Sequence, residues 1–380
     1  MKKICIISAD PEFLGGISLH TWNMINILKK NDSYELFWIY GGKKDRIYKK
    51  EKITFVELKL SLKYPLNEIL FNFKVKKFLD KNKFDLINSH AIWGLWTKFY
   101  KNNKNQEVIH TYHGSTYHFF KNHLERFNLI KKILLSPILF FSYFIEKSPW
   151  KKVDKIICVS QHVKTEFENL YGKRKNTFVI RTGVDLNQFK RINKKIARKK
   201  LNLNYEKTYG LYVGRGGYWR KGLDRAIELS KNIYDLNKNY NLIVVGPDYK
   251  KVKHLIDEPF IKYIETGTRE LLPYYYSGCD LFFFLSRYEG GAPTLVTSEA
   301  MASGCFIIFS EDSKQEIIEN EKEGIIIDFN NCDYKKESER ILKILNDKNK
   351  LKKIIGNSLK KIKEFSTEKW ASEYSSVLFK

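Results

Sequence analysis

The 380-residue chain predicts an α/β protein built from two doubly wound parallel sheets. Strand-like and helix-like segments alternate in both halves, with strands expected at 3–8 and 85–89 in the first and at 241–246 and 324–328 in the second. A chain of 380 residues also exceeds one ordinary hydrophobic core, so two domains are expected. Their boundary is expected within 187–200, where lysine and arginine crowd and apolar periodicity lapses. This gives an N-terminal domain over 1–190 and a C-terminal one over 191–365. There is no internal repeat and no long low-complexity tract.

The most informative elements lie in the second half. Residues 209–213 alternate and are aromatic or branched, which predicts a strand, and 223–229 carry helical spacing. The run Val213-Gly214-Arg215-Gly216-Gly217-Tyr218-Trp219-Arg220-Lys221-Gly222 is therefore a strand-to-helix turn. In such a turn free backbone N–H groups and the positive end of the helix dipole face one point, and glycine lets a phosphate come close. Glycine-rich turns with a nearby Arg or Lys are also common in α/β proteins without a ligand.

A second cluster adds to this reading. Residues 281–285 form a continuous apolar run of strand length, as a buried parallel strand requires. Glu289 leaves its C-terminal end, Pro293 and Thr294 read as a helix entry, 295–302 as the helix, and Gly304 as its stop. Glu289 can then reach a ligand at the helix N-terminus, and Glu299 a group lying along the helix side. A lone Glu inside a helix is ordinarily a solvated surface residue. Two cations for a diphosphate, Arg215 and Lys221, together with two carboxylates that accept from hydroxyls, make a set able to hold a nucleotide sugar without a metal.

Cysteines and histidines predict little chemistry. Cys5, Cys158, Cys279, Cys305 and Cys332 are odd in number and scattered without zinc-ligand spacing, so they read as small apolar residues of a reducing, cytoplasmic compartment. The first strand begins at residue 3, which leaves no room for a signal peptide. His110, His113 and His118 cluster, but strand alternation puts His110 and His113 on opposite faces and argues against a shared metal. His113 reads as a polar site residue, and His90 ends another strand.

The formal net charge is +25. Up to Lys190, 34 Lys and Arg stand against 17 Asp and Glu, and the remainder carries 34 against 26, so the excess lies in the first half. An anionic membrane surface or a lipid-phosphate acceptor would be drawn there. Nucleic acid is not expected, since no recognisable binding module is present. Residues 133–145 are almost wholly apolar, flanked by Lys131, Lys132 and Lys147, too short to span a bilayer and interrupted by Pro137. A helix lying in a membrane interface and a buried core helix both use such a run.

Several motifs in order carry a resemblance. Phe13-Leu14-Gly15-Gly16-Ile17-Ser18, Asp154-Lys155-Ile156-Ile157-Cys158-Val159-Ser160, Val179-Ile180-Arg181-Thr182-Gly183-Val184-Asp185, residues 261–267 and Tyr276-Ser277-Gly278-Cys279-Asp280, with the two clusters above, resemble family-four retaining glycosyltransferases of the GT-B fold along most of the chain. The resemblance implies two Rossmann-like domains facing across a cleft, the first on the acceptor side and the second binding the nucleotide sugar. Residues 366–380 would form a last helix that returns to the first domain.

Arg215 and Lys221 would hold the donor diphosphate, Glu289 the transferred sugar's hydroxyls, and Glu299 the ribose. Gly15 and Gly16 would let the first domain approach the donor, and His113 would lie near the reacting carbon. Gly214, Gly290, Gly291, Ala292 and Thr266 would line the donor. No cofactor is implied, and no metal: the Asp-x-Asp pair by which sugar transferases of the other common architecture chelate an ion is absent from the sequence. The partners implied are a nucleotide-sugar donor and a glycan or lipid-linked acceptor, with the protein at the cytoplasmic face of a membrane.

Two departures stand out. Glu289 and Glu299 are ten positions apart where the family pattern has eight, and Arg181 and Thr182 replace Pro and Asn. A nicotinamide enzyme is disfavoured, because no strand is followed by Gly-x-Gly-x-x-Gly and a suitably spaced acidic residue. A non-catalytic nucleotide-sugar binder or membrane-associated scaffold uses the same binding groups and is the alternative.

Overall fold

The computed structural model describes residues 1–379 except 13–14, 62–65, 102–103, 215–216, 247–248, 266–267 and 292. The chain divides into two α/β units, Met1–Arg181 with Ala371–Lys380, and Thr182–Trp370.

The first unit runs β1 (Lys2–Ile7), α1 (Gly16–Leu28), β2 (Tyr34–Gly42), β3 (Arg46–Lys50), β4 (Ile53–Lys59), α2 (Leu66–Lys81), β5 (Leu86–His90) and β6 (Glu107–Tyr112). It continues through α3 (Thr116–Leu124), α4 (Leu129–Leu135), α5 (Pro137–Lys152), β7 (Lys155–Cys158), α6 (Gln161–Tyr171) and β8 (Thr177–Val179). The sheet order is β3-β4-β2-β1-β5-β6-β7-β8, parallel except for the edge pairing of β3 with β4. That antiparallel edge carries Arg46, Lys49 and Lys50, charges that discourage pairing with another chain. Strand order reverses beside β1, between β2 and β5, and open α/β sheets bind ligands beyond the carboxyl ends of strands at such a point.

The second unit runs α7 (Lys194–Lys200), β9 (Thr208–Val213), α8 (Leu223–Leu236), β10 (Tyr240–Val245), α9 (Tyr249–Ile256), β11 (Ile261–Ile264) and α10 (Leu272–Gly278). Then follow β12 (Leu281–Phe284), α11 (Leu295–Ala302), β13 (Phe306–Ser310), β14 (Ile325–Ile327), α12 (Tyr334–Asn346), α13 (Lys348–Ile362) and α14 (Thr367–Leu378). The all-parallel sheet has the order β11-β10-β9-β12-β13-β14, so its reversal lies between β9 and β12. β12 and β13 are buried at every position, as strands covered on both faces must be. α8 buries Leu223, Ala226, Leu229, Ser230 and Ile233, the three- and four-residue spacing of one helix face.

The division between units falls earlier than the lysine-rich stretch suggests. Val184 N–H donates to Phe365 O at 2.9 Å and Thr367 N–H to Val184 O at 3.0 Å, while Phe189 packs in the second unit's core beside Tyr276. The basic run is not a linker. It is α7, which buries Ala197 and Arg198; the Arg198 guanidinium donates to Gly278 O at 2.9 Å and to Asp280 at 2.8 Å and lies over the Tyr209 ring. One fixed ion pair hides a buried cation inside a stretch that reads as solvated charge.

The apolar run at 133–145 is two helices, α4 and α5, with Ser136 between them, and the core reading of it fails. Leu129, Ile130, Ile133 and Leu134 are each more than 60% exposed, and Phe140, Phe141 and Phe144 between 42% and 69%. The buried side chains of α5 are instead Ser142, Glu146, Pro149 and Trp150. Among the described residues no helix is long and apolar enough to cross a membrane. The five cysteines are free thiols, four of them buried.

The boundary at Trp370 and Ala371 falls inside α14. From the helix end that belongs to the first unit, the Tyr374 hydroxyl meets Asn88 Nδ2 at 2.9 Å and Thr111 Oγ1 at 2.8 Å, both buried on adjacent strands β5 and β6. Removing that hydroxyl takes one partner from each of two buried polar groups, while Thr111 Oγ1 keeps its bond to Asn88 Oδ1 at 3.1 Å, at a cost of about 1–2 kcal/mol. Tyr374→Phe is expected to lower the Tm by several degrees in a thermal melt; an unchanged Tm would show that the hydroxyl contributes nothing.

Candidate functional site

In the second unit the loops after β9 and β12, the two strands flanking the reversal, are clamped together. Arg287 N–H donates to Arg220 O at 2.8 Å and Arg220 Nη1 to Tyr288 O at 3.0 Å. The Arg287 guanidinium grips Asp224 bidentately at 2.8 and 2.6 Å and stacks over Trp219. Gly222 closes the first loop at φ +71, where an added Cβ would stand 2.0 Å from Leu285 O, so no side chain fits. Gly222 is also the N-cap of α8 and supplies no side-chain cap, whereas Thr294 and Thr297 form a capping box at the start of α11.

This clamp brings Lys221 to Glu289. The Lys221 ammonium donates to Glu289 Oε1, and Arg220 Nη1 reaches the same oxygen at 3.3 Å. Side-chain exposure is only 23% for Lys221 and 10% for Glu289. Burial alone would raise the Glu289 carboxyl, but the charges of Lys221 and Arg220 outweigh it and hold the group below its ordinary value. Burial presses the Lys221 ammonium below its usual range, and Glu289 only partly restores it. Two charges thus neutralise each other in a place where each alone would be costly. Gly214 follows β9, its N–H donating to Val245 O at 3.1 Å, and Gly290 and Gly291 continue the loop after Glu289.

Glu299 is not the solvated helix residue that its position alone suggests. It is 1% exposed on α11, paired with Arg269 Nη1 at 2.8 Å and approached by the Tyr276 hydroxyl at 3.5 Å. Burial pushes its carboxyl up to about 7 against the pull of Arg269. Despite the ten-residue spacing from Glu289 to Glu299, α11 starts at its Thr294 cap and Glu299 lies inside it.

In the first unit, Gly15 is the N-cap of α1 without a side-chain cap, and Gly16 is its first residue with open space where a Cβ would be. One turn on, His20 points to two other imidazoles. His90, ending β5, and His113, just after β6, share a hydrogen bond between Nδ1 and Nε2 at 3.0 Å, and the His20 ring lies edge-on to His113 with centroids 4.7 Å apart. Burial holds all three neutral: His20 and His90 fall well below the ordinary value, and His113 is pushed down to about 3. His110 turns away to Ser89 Oγ at 2.8 Å, as strand alternation predicts.

Nitrogens of His20, His90 and His113 lie within 4.8 Å of one another, and neutral imidazoles suit a borderline-soft cation. This trio differs from the grouping of His110 with His113 that the sequence raises.

Arg215, Thr266 and Ala292 lie outside the described residues. The side chains that sequence reasoning missed are Arg220, Arg269, His20 and the partnership of His90. Arg220 stood beside Lys221 in the turn, and His20 sits four residues after Gly16 on the helix it opens, where a side chain returns toward the first turn. Arg269 carries no sequence signal.

Two family models match the chain: Glycosyltransferase Family 4 over residues 14–188 and Glycosyl transferases group 1 over 193–361. None of the curated proteins matches it. Among solved structures, sucrose-phosphate synthase from Thermosynechococcus elongatus is 19% identical with a TM-score of 0.81, covering 99% of this chain and 98% of that one. Anabaena HepE in complex with UDP and glucose is 17% identical, TM-score 0.71, covering 100% and 99%. A glycosyltransferase from Rickettsia africae is 16% identical, TM-score 0.70, covering 99% and 97%. At these identities the likeness is one of fold, the GT-B arrangement of two Rossmann-like domains.

Glu299 gives a pH signature. A carboxyl raised to about 7 in the folded state contributes stability that is complete below its ordinary value of 4.5 and disappears as pH rises through 7. Thermal melts from pH 4.5 to 8 are therefore expected to show the wild type losing stability relative to Glu299→Gln as pH rises. Parallel curves would mean that Glu299 titrates as a solvated group.

Proposed function

Because the chain belongs to the family-4 glycosyltransferases of GT-B fold, we propose that it moves a sugar from a nucleoside-diphosphate sugar to an acceptor hydroxyl, with retention and without a metal. The observation that carries this reading is the Lys221–Glu289 pair, set at the strand reversal beside the uncapped start of α8. Without a ligand the two charges satisfy each other. With the donor bound, Lys221 turns to the diphosphate, aided by Arg215 and the N–H groups opening α8, and Glu289 accepts from the sugar's hydroxyls. Glu299 takes the ribose. Gly214, Gly290, Gly291, Ala292 and Thr266 line the donor, and Gly15, Gly16 and His113 are the candidate site residues of the first unit. HepE, alike in fold, holds UDP and glucose, which supports a uridine diphosphate sugar as the first donor to test.

The chemistry follows from where charge develops. As the bond from the anomeric carbon to the phosphate oxygen breaks, negative charge grows on the diphosphate and positive character on the ring. Lys221 and the helix N-terminus stabilise the first, and the Glu289 carboxylate tolerates the second. The acceptor hydroxyl attacks from the face that the diphosphate leaves, and the leaving phosphate takes its proton, so no side-chain nucleophile is assigned. The acceptor is a glycan or a lipid-linked hydroxyl. Exposed apolar side chains of α4 and α5 among Lys131, Lys132 and Lys147 support peripheral contact with an anionic membrane.

Donor turnover in the presence and absence of EDTA tests these roles together. Lys221→Met is expected to lower kcat by about 100-fold or more, the cost typical of removing one transition-state charge partner. Wild-type turnover is expected to survive chelation. Unchanged kcat in the variant, or loss of activity in EDTA restored by magnesium or manganese, would contradict the assignment. Tight donor binding with neither transfer nor slow hydrolysis would instead identify a non-catalytic binder.

A further inference from the structure

Three histidines from separate elements of the first unit converge, and the fold holds them in place. His20 enters from α1, which is pinned to the sheet where Ser8 Oγ, just after β1, meets Thr21 Oγ1 at 2.7 Å. His90 closes β5 and His113 follows β6, and these two strands are paired along their length. Side chains two apart on a strand share a face, so His90 lies on the face of Asn88 and His113 on that of Thr111. Asn88 and Thr111 are the groups that the Tyr374 hydroxyl braces, and the Tyr374 ring also stands edge-on to His20 with centroids 5.7 Å apart. One tyrosine thus supports all three positions.

One nitrogen from each of the three rings can be chosen so that all lie within 4.8 Å of one another. His90 Nδ1 and His113 Nε2, 3.0 Å apart, are already close to the separation of about 3.3 Å expected for two nitrogens bound at about 2.0–2.1 Å to a tetrahedral zinc. His90 keeps its other nitrogen, Nε2, buried without a hydrogen-bond partner. Its polar capacity is therefore not exhausted by the fold.

Charge decides between occupants. Burial resists a proton at all three rings, and the neighbouring imidazoles resist it further at His20 and His90. A proton would gain a single bond against that resistance, whereas a divalent ion gains three coordinate bonds at once. Neutral imidazole is also the form that ligates, so no imidazolium has to give up a proton first. Magnesium and calcium take oxygen ligands, and the trio offers none; zinc is held at catalytic sites by three imidazoles with a water in the fourth position. His20 and His90 are buried and His113 is partly exposed, which leaves the fourth position on the His113 side.

We propose that His20, His90 and His113 bind one zinc-type divalent cation, and that the bound ion inhibits the protein by holding His113. The binding stands without any assignment of function. The inhibition rests on the glycosyl-transfer reading, in which His113 is a candidate site residue, and it makes the ion an inhibitor and not a participant in the reaction.

Full-length wild type is freed of metal, given one equivalent of Zn2+ and desalted. X-ray absorption is expected to show only nitrogen and oxygen neighbours at about 2.0–2.1 Å, with the scattering of three imidazoles. Sulfur neighbours, fewer imidazoles, or zinc lost on desalting would overturn the site and leave an adventitious ion only. His20→Gln and His90→Gln are each expected to weaken Zn2+ binding by about 100-fold or more, since even an outer-shell change typically costs about 10–100-fold. His254→Gln, at an exposed position on α9, is expected to keep wild-type affinity. Equal affinity in all of these proteins would also overturn the site. Donor turnover at rising Zn2+ tests the consequence, with activity expected to fall in step with occupancy. Occupied but uninhibited enzyme would overturn the inhibition and leave the site standing. Metal-free protein without any turnover would take the inhibition down with the glycosyl-transfer reading, the site being decided by the absorption spectrum alone.

Discussion

The second unit depends on one electrostatic constraint: a lysine and a glutamate from separate loops share a largely desolvated position, and neither is tolerable there without the other. Everything around the pair serves to hold it. Adjacent strands β9 and β12 deliver the two loops to the same edge of the sheet, Gly222 lets one backbone lie against the other, and Arg287 with Asp224 ties the loop after β12 to the first turn of α8. A pair of this kind contributes little net stability, because desolvation offsets the Coulomb attraction. In the proposed reading, its physical sense is a site kept assembled without its ligand, with charges in place for a diphosphate on one side and hydroxyls on the other. A site so arranged needs little reorganisation when charge develops in a reaction.

The first unit uses a different device. Three neutral imidazoles meet where α1, β5 and β6 converge, and the Tyr374 hydroxyl from the returning end of α14 braces β5 and β6 beneath them. Neutral histidines offer hydrogen bonds without fixed charge, which suits a sugar better than a phosphate. On the same unit an exposed apolar surface is a separate feature, formed by α4 and α5. The proposed donor site and the proposed membrane contact therefore use different elements.

Much of this was legible in the sequence because local patterns dominate it. The alternation at 209–213, the glycines after it, the apolar run at 281–285 and the Thr294 cap each act over a few residues, and the structure forms β9, β12 and the cap within a residue or two of expectation. What was hidden depends on distant partners. Arg198 reads as one more lysine-like surface charge until Asp280, far along the chain, buries it. Arg269 becomes visible only through Glu299, and His20 only through β5 and β6. The run at 133–145 is apolar whether it faces a core or a lipid, and only the placement of α5, with Ser142, Glu146 and Trp150 inward, decides that its phenylalanines face out.

A crystal structure with an intact uridine diphosphate sugar tests the central claim most directly. The expected result is Lys221 Nζ within hydrogen-bond distance of a diphosphate oxygen and no longer on Glu289, with the Glu289 carboxylate accepting from hydroxyls of the sugar. A donor bound elsewhere, with the Lys221–Glu289 contact intact, would contradict it.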